Sequence, residues 1–167
     1  MSLPSRVHQA LAFVLSTFAY DISNLDLLSE AIDTSGMTGR QSNKRLALVG
    51  DRALGIAMVA AWYPSGADKG CLNDLAISVH SDDLAGAGSN WLAQLSNTHL
   101  AAVAREIGLD QHLILNPGHV GRLSDATLAT SLEAVMGAIY FDCGGRIPLI
   151  ESVMRKIGIN MPAQIDI

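Results

Sequence analysis

Asn43-Lys44-Arg45-Leu46-Ala47-Leu48-Val49-Gly50-Asp51 is the stretch whose reading decides the fold. It opens a helical pattern that runs to Trp62 and stops at Tyr63-Pro64-Ser65-Gly66, because proline has no amide to continue the hydrogen-bond ladder. Leu46, Leu48, Val49, Leu54, Ile56, Met58, Val59 and Trp62 place apolar side chains almost all round this helix. Such a helix needs burial on more than one side, and a second copy of the chain is the expected source of part of that cover.

The pattern extends in both directions. Val7, Leu11, Phe13, Val14 and Phe18 give residues 5–20 one apolar helix face. Ser23 or Asn24 caps a short second helix carrying Leu25, Leu27, Leu28 and Ile32. Thr34 to Ser42 is rich in Gly, Thr and Ser and reads as a loop. Leu72, Leu75, Ile77 and Val79 suggest a further helix, broken at Gly86-Ala87-Gly88-Ser89. The helical period returns from Ser96 to Ile107, with Gly108 as its C-cap. Asn116-Pro117-Gly118-His119 is a turn. Ser124 to Phe141 forms another long helix ended by Cys143-Gly144-Gly145, and Ile147 to Ile157 closes a single domain of residues 1–167.

Composition agrees with an all-α domain. Of 167 residues, 49% are hydrophobic but only 5% are aromatic, a balance that favours packed helices over a sheet. No apolar stretch is expected to reach the roughly 20 residues that span a bilayer, and no membrane partner is expected. Arg6 with no acid before Asp21 fits a mitochondrial presequence. A buried first helix fits the same residues, so the cytoplasm is the expected location and the mitochondrion the alternative. The net charge of −5 excludes broad attraction to phosphate backbones. Any nucleic-acid contact is then a local patch. Arg40, Lys44, Arg45 and Arg52 form the candidate, and a solvated helix face is the competing reading. No DNA partner is expected.

Cys71 and Cys143 are far apart, and His8, His80, His99, His112 and His119 show no metal-ligand spacing with them or one another. A zinc site is therefore not expected. His119 in its Pro-Gly turn reads as polar surface. No Gly-rich phosphate loop and no Ser-His-Asp arrangement stand out.

The nine-residue stretch resembles the signature helix of the ribonuclease III family, N-E-R-L-E-F-L-G-D. Leu95-Ser96-Asn97-Thr98-His99-Leu100-Ala101 followed by Ile107-Gly108-Leu109-Asp110 resembles that family's S-N-x-x-L-A … L-G-L segment. Leu128 to Asp142, with Glu133-Ala134, Gly137-Ala138, Tyr140 and Asp142, is similar to L-A-D-x-x-E-A-x-x-G-A-x-Y-x-D. The three blocks occur in order and span most of residues 8–158. The resemblance implies an all-α ribonuclease III endonuclease-like fold that forms a twofold dimer. The double-stranded-RNA-binding domain that often follows is expected to be absent, since the chain stops near Ile167. Residues 77–92 look like an insertion relative to the family, read as a surface loop.

The same resemblance implies cleavage of double-stranded RNA with Mg²⁺. A metal in such chemistry holds the phosphate, stabilises charge and activates water. Mg²⁺ prefers several hard oxygen ligands, and carboxylates three or four residues apart share a helix face. In this chain the pair on the signature helix is Ala47 and Asp51, and the pair on the later helix is Thr130 and Glu133. Ala47 and Thr130 stand where the family has acids, and Lys44 puts a cation at a further acidic position. Asp51 and Glu133 are thus the residual catalytic and metal candidates, and bound Mg²⁺ is expected to be weak. A structural role for both, with Glu133 paired to Arg45 or Arg52, is the competing reading.

Three functions follow. The first is a pseudoenzyme, a ribonuclease III-like domain acting as an RNA-associated or protein-binding scaffold. The second is a working double-stranded-RNA endoribonuclease with a reduced two-carboxylate Mg²⁺ site. The third is a fold repurposed for a small molecule at the dimer interface. A groove lined by Lys44, Arg45 and Arg52 would favour RNA.

Overall fold

A computed structural model describes residues 3–36, 42–66 and 91–162. The α-helices are α1 (Leu3–Phe18), α2 (Leu25–Ile32), α3 (Lys44–Trp62), α4 (Asn97–Glu106), α5 (Asp125–Asp142) and α6 (Ile147–Lys156). Short 3₁₀ turns occupy Tyr63–Ser65, Trp91–Leu95 and Leu109–His112. Among the described residues there is no strand, and an isolated parallel bridge joins Asp33 to Ile114.

Local chemistry sets the helix starts. The Asn24 side chain accepts from the amides of Asp26 and Leu27, so Asn24 and not Ser23 caps α2. Ser96 accepts from the His99 amide and Ser124 from that of Thr127, each satisfying one orphan donor. Gly66 and Gly108 follow α3 and α4 with φ of 66° and 78°, the left-handed region where glycine carries no steric penalty. The Asn116 turn forms as expected, with the His119 amide donating to the Asn116 carbonyl.

Helix α5 is the centre of the fold. Ala134 through Ile139 are all buried, so every face of its middle is covered. Helices α2, α3 and α4 pack around it, and α6 packs on α3. Helix α3 is covered on one side within a single chain, which leaves the cover expected from a second copy to its other side. One side of α3 is core: Leu46, Ala47, Gly50, Ala53, Leu54, Ala57 and Met58 are buried. Its other side is open, with Leu48 at 61%, Ile56 at 55% and Val59 at 41% exposure, continued by Tyr63 at 79%.

The expectation that no segment reaches membrane-spanning length is corrected for Lys44–Ser65. This 22-residue segment is long and apolar enough by length and composition. Its apolarity here serves a core face and an open face, and Arg45, Asp51 and Arg52 interrupt it.

Two polar residues of the sequence blocks, Asn43 and Asp142, tie helices together. Asn43 is 4% exposed and donates through Nδ2 to the Ala31 carbonyl at 3.2 Å and to Ser131 Oγ at 3.4 Å. It therefore links the starts of α3 and the ends of α2 to α5. Asp142 accepts from Tyr20 Oη at 2.7 Å and from the amides of Ser23 at 3.1 Å and Asn24 at 2.7 Å, fixing the α1–α2 connection to the end of α5. The expected helix through Leu72–Val79, the break at 86–89, most of the 77–92 insertion, Arg40, Cys71 and His80 lie outside the described residues. Cys143 is a free buried thiol.

Candidate functional site

The site is built by the crossing of α3 and α5. A Cβ on Gly50 would overlap the Glu133 carbonyl oxygen, and one on Gly137 would overlap that of Leu46. Each helix thus meets its neighbour through a glycine, backbone against backbone. Asp51 follows Gly50 directly, and Glu133 lies one turn before Gly137. The crossing sets both acids at the edge of the same contact.

Asp51 and Glu133 line one open pocket of about 370 Å³, together with Lys44, Ala47, Leu48, Asn97 and Thr130. The sequence thus named the acids and the two substituted positions that converge. Burial pushes the Glu133 carboxyl up to about 7, with the neighbouring Asp51 charge adding to the rise. Near neutral pH it is shared between acid and carboxylate. Asp51 is paired with Arg52 at 2.9 Å. Both side chains are well exposed, at 40% and 74%, so water screens this pair.

The other expectations at the site divide. Of the basic residues, Lys44 alone lines the pocket, and it has no ion pair among the described residues. Arg45 and Arg52 are exposed outside it. Arg45 and Arg52 therefore lie on the exposed side of α3 and do not line this pocket. Glu133 also has no ion pair with Arg45 or Arg52, and its charge is opposed rather than matched. Asn97 was not read as a site residue. It is the first residue of α4, next to the Ser96 cap, and its place in the second sequence block was the available signal. What was missing was the knowledge that α4 starts beside the α3–α5 crossing.

The donors present do not fit Mg²⁺ well. Among the described residues no group of three or more His, Cys, Asp or Glu is placed to hold a metal. The pocket offers two carboxylates, of which Glu133 is partly desolvated by burial, plus the neutral oxygens of Thr130 and Asn97. Lys44 sets an ammonium where a divalent ion would need anionic charge.

Comparison with known proteins gives the family and the fold. Residues 27–157 match the model of a family described as Ribonuclease-III-like. The "Ribonuclease 3" of Leifsonia xyli subsp. xyli is 35% identical over 125 residues, covering 72% of this chain and 46% of that protein. The "Ribonuclease 3" of Shewanella frigidimarina is 29% identical over 131 residues, covering 75% and 51%. The chain spans about half the length of the curated relatives it matches. The nuclease domain of ribonuclease III from Campylobacter jejuni superposes with a TM-score of 0.67 at 20% identity, covering 93% of this chain and 98% of that one. A second structure of that domain, described for structural flexibility in the region involved in dimer formation, gives 0.67 at 18% identity.

Proposed function

Since the chain belongs to the ribonuclease III family, we propose that it is an RNA-associated scaffold in which metal-dependent cleavage of double-stranded RNA is absent or greatly slowed. One observation carries this reading. Of the four facing positions on α3 and α5 that line the pocket, Asp51 and Glu133 hold carboxylates while Ala47 and Thr130 do not, and Lys44 adds a cation beside them. Loss of acid from both helices weakens the hold on an ion from two directions. A misplaced nucleophile alone costs about 10²-fold in rate, and lost charge stabilisation adds to that. The scaffold is a twofold dimer, supported by the open apolar side of α3.

The test compares the parent with Ala47→Glu/Thr130→Asp, with and without Lys44→Glu. Mn²⁺ affinity is measured by titration and cleavage on a long RNA duplex with Mg²⁺. Restored acids are expected to raise metal affinity by at least about tenfold, equivalent to about 1.4 kcal/mol. A working endoribonuclease with a two-carboxylate site is favoured instead if the parent cleaves at a rate typical of its relatives and Asp51→Ala abolishes it. The convergence of Asp51 and Glu133 on one pocket is what keeps that second reading in view.

A further inference from the structure

Beside the carboxylate pocket lies a second cavity, of about 310 Å³, which shares Lys44 and Thr130 with it. Its remaining wall comes from the start of α3 and the first turns of α5, through Ser42, Asn43, Ala126 and Thr127, and from Thr34. Among the described residues that line it there is one cation and no acid. Its polar character is otherwise hydroxyl: Thr127 Oγ1 is held 2.9 Å from Ser124 Oγ, and Thr130 Oγ1 has no hydrogen-bond partner among the described residues. A cavity of neutral hydroxyls around one free ammonium selects a compact anion with several acceptor oxygens.

The α3 terminus adds to this preference. Asn43 makes no side-chain cap bond to the first turn of α3, because its amide is committed to Ala31 and Ser131. No acid sits in that first turn. Among the described residues no side chain caps the positive end of this 19-residue helix, beside Lys44.

We propose that Lys44, with the hydroxyls of Thr127 and Thr130, seats one backbone phosphate of an RNA duplex without a metal ion. The ammonium and the hydroxyls all donate to the phosphate oxygens, and no bond is made or broken. This rests on the RNA-scaffold reading above and gives that scaffold its point of attachment. It also gives the departure at Lys44 a positive role: a fixed cation takes over the holding of phosphate that a metal would otherwise perform. Inorganic phosphate shares the same chemistry and is the competing source.

The test uses the full chain in EDTA with two probes, a 12-base-pair blunt RNA duplex and inorganic phosphate. Duplex binding is followed by fluorescence anisotropy, and phosphate binding by the backbone amide shifts of residues 126–130. Lys44 is exposed, so its variants leave the core untouched. Lys44→Ala is expected to weaken duplex binding about tenfold, the effect of one charge-assisted contact. Lys44→Arg should bind as the parent does, and Thr130→Val should lie between. Phosphate should shift the 126–130 amides of the parent and not of Lys44→Ala. Equal duplex binding by parent and Lys44→Ala overturns the seat. So does the absence of any phosphate-induced shift. Lys44-dependent phosphate shifts with no duplex binding at all overturn RNA as the occupant and the scaffold reading with it, while leaving an anion site. Cleavage assays in Mg²⁺ read the loss of nuclease activity separately.

Discussion

Glu133 is ionised at a cost, and that cost has a sign. Its folded value of about 7 lies above the ordinary glutamate value of 4.5. Between those two values the native state holds more proton than the unfolded chain. The stability contributed by protonated Glu133 is therefore full below about 4.5 and is lost as pH rises through about 7. Glu133→Gln should match the parent in denaturant midpoint near pH 4.5 and exceed it at pH 8. Parallel midpoints across that range would show that Glu133 is not desolvated. Asp142 behaves in the opposite way. Burial alone would raise its carboxyl, but the hydrogen bonds from Tyr20, Ser23 and Asn24 outweigh this and hold it below the usual carboxylate range. Its contribution is present above the unfolded value and fades as pH falls through the folded one. Asp142→Ala removes three donors' common acceptor and is expected to lower stability by about 2 kcal/mol at pH 7. Urea denaturation at pH 7 checks this, and a change within 0.5 kcal/mol, the range of about an ordinary surface substitution, would place the α1–α2 connection elsewhere.

At the scale of elements, the glycines at the α3–α5 crossing fix the distance between the helices that carry the two acids. A methyl group at Gly50 meets the Glu133 carbonyl, and one at Gly137 meets that of Leu46. Both obstacles are backbone, which a rotamer change cannot move. Either alanine substitution is expected to cost about 3 kcal/mol, at the upper end for overpacking, and to separate Asp51 from Glu133. Gly55 offers a control on the same helix, since a Cβ there meets nothing within 4 Å. Because Gly55 lies on the open face of α3, the control is read in an Ile56→Glu background that leaves this face uncovered, where Gly55→Ala should be neutral or stabilising by up to about 1 kcal/mol. Thermal unfolding of the three variants would distinguish a crossing fixed by glycine from a generic helix effect. Comparable losses at Gly50 and Gly55 would argue for the generic effect.

For the whole molecule, the open side of α3 is the feature a single chain leaves unresolved. Leu48, Ile56, Val59 and Tyr63 recur at helical spacing along one face. Gly55, Ile56, Val59, Ala60 and Tyr63 line an apolar hollow of about 500 Å³. Covering such a face from water is favourable by roughly 25 cal/mol per Å². A dimer at micromolar concentration is the expected state by sedimentation. Ile56→Glu, at a position exposed in one chain, should leave the helical content intact and shift the equilibrium toward monomer by at least about 100-fold, as for a charge buried at an interface. A parent that sediments as a monomer, or an unmoved equilibrium in the variant, would remove the dimer.

The sequence by itself determined the helices and their ends, because capping residues, prolines and the 3.6-residue period act within a few neighbours. It also determined that Asp51 and Glu133 carry carboxylates and that Ala47 and Thr130 do not, since these are matters of residue identity. Only the tertiary structure decided that the middle of α5 is enclosed on every side within one chain, because burial depends on what surrounds a helix. It alone brought Asn97 to the pocket, committed Asn43 to α2 and α5, left Arg45 and Arg52 outside that pocket, and set Lys44 between two cavities. Those outcomes depend on how close and at what angle α3 and α5 cross, and that is settled by two glycines meeting across chain segments far apart in sequence.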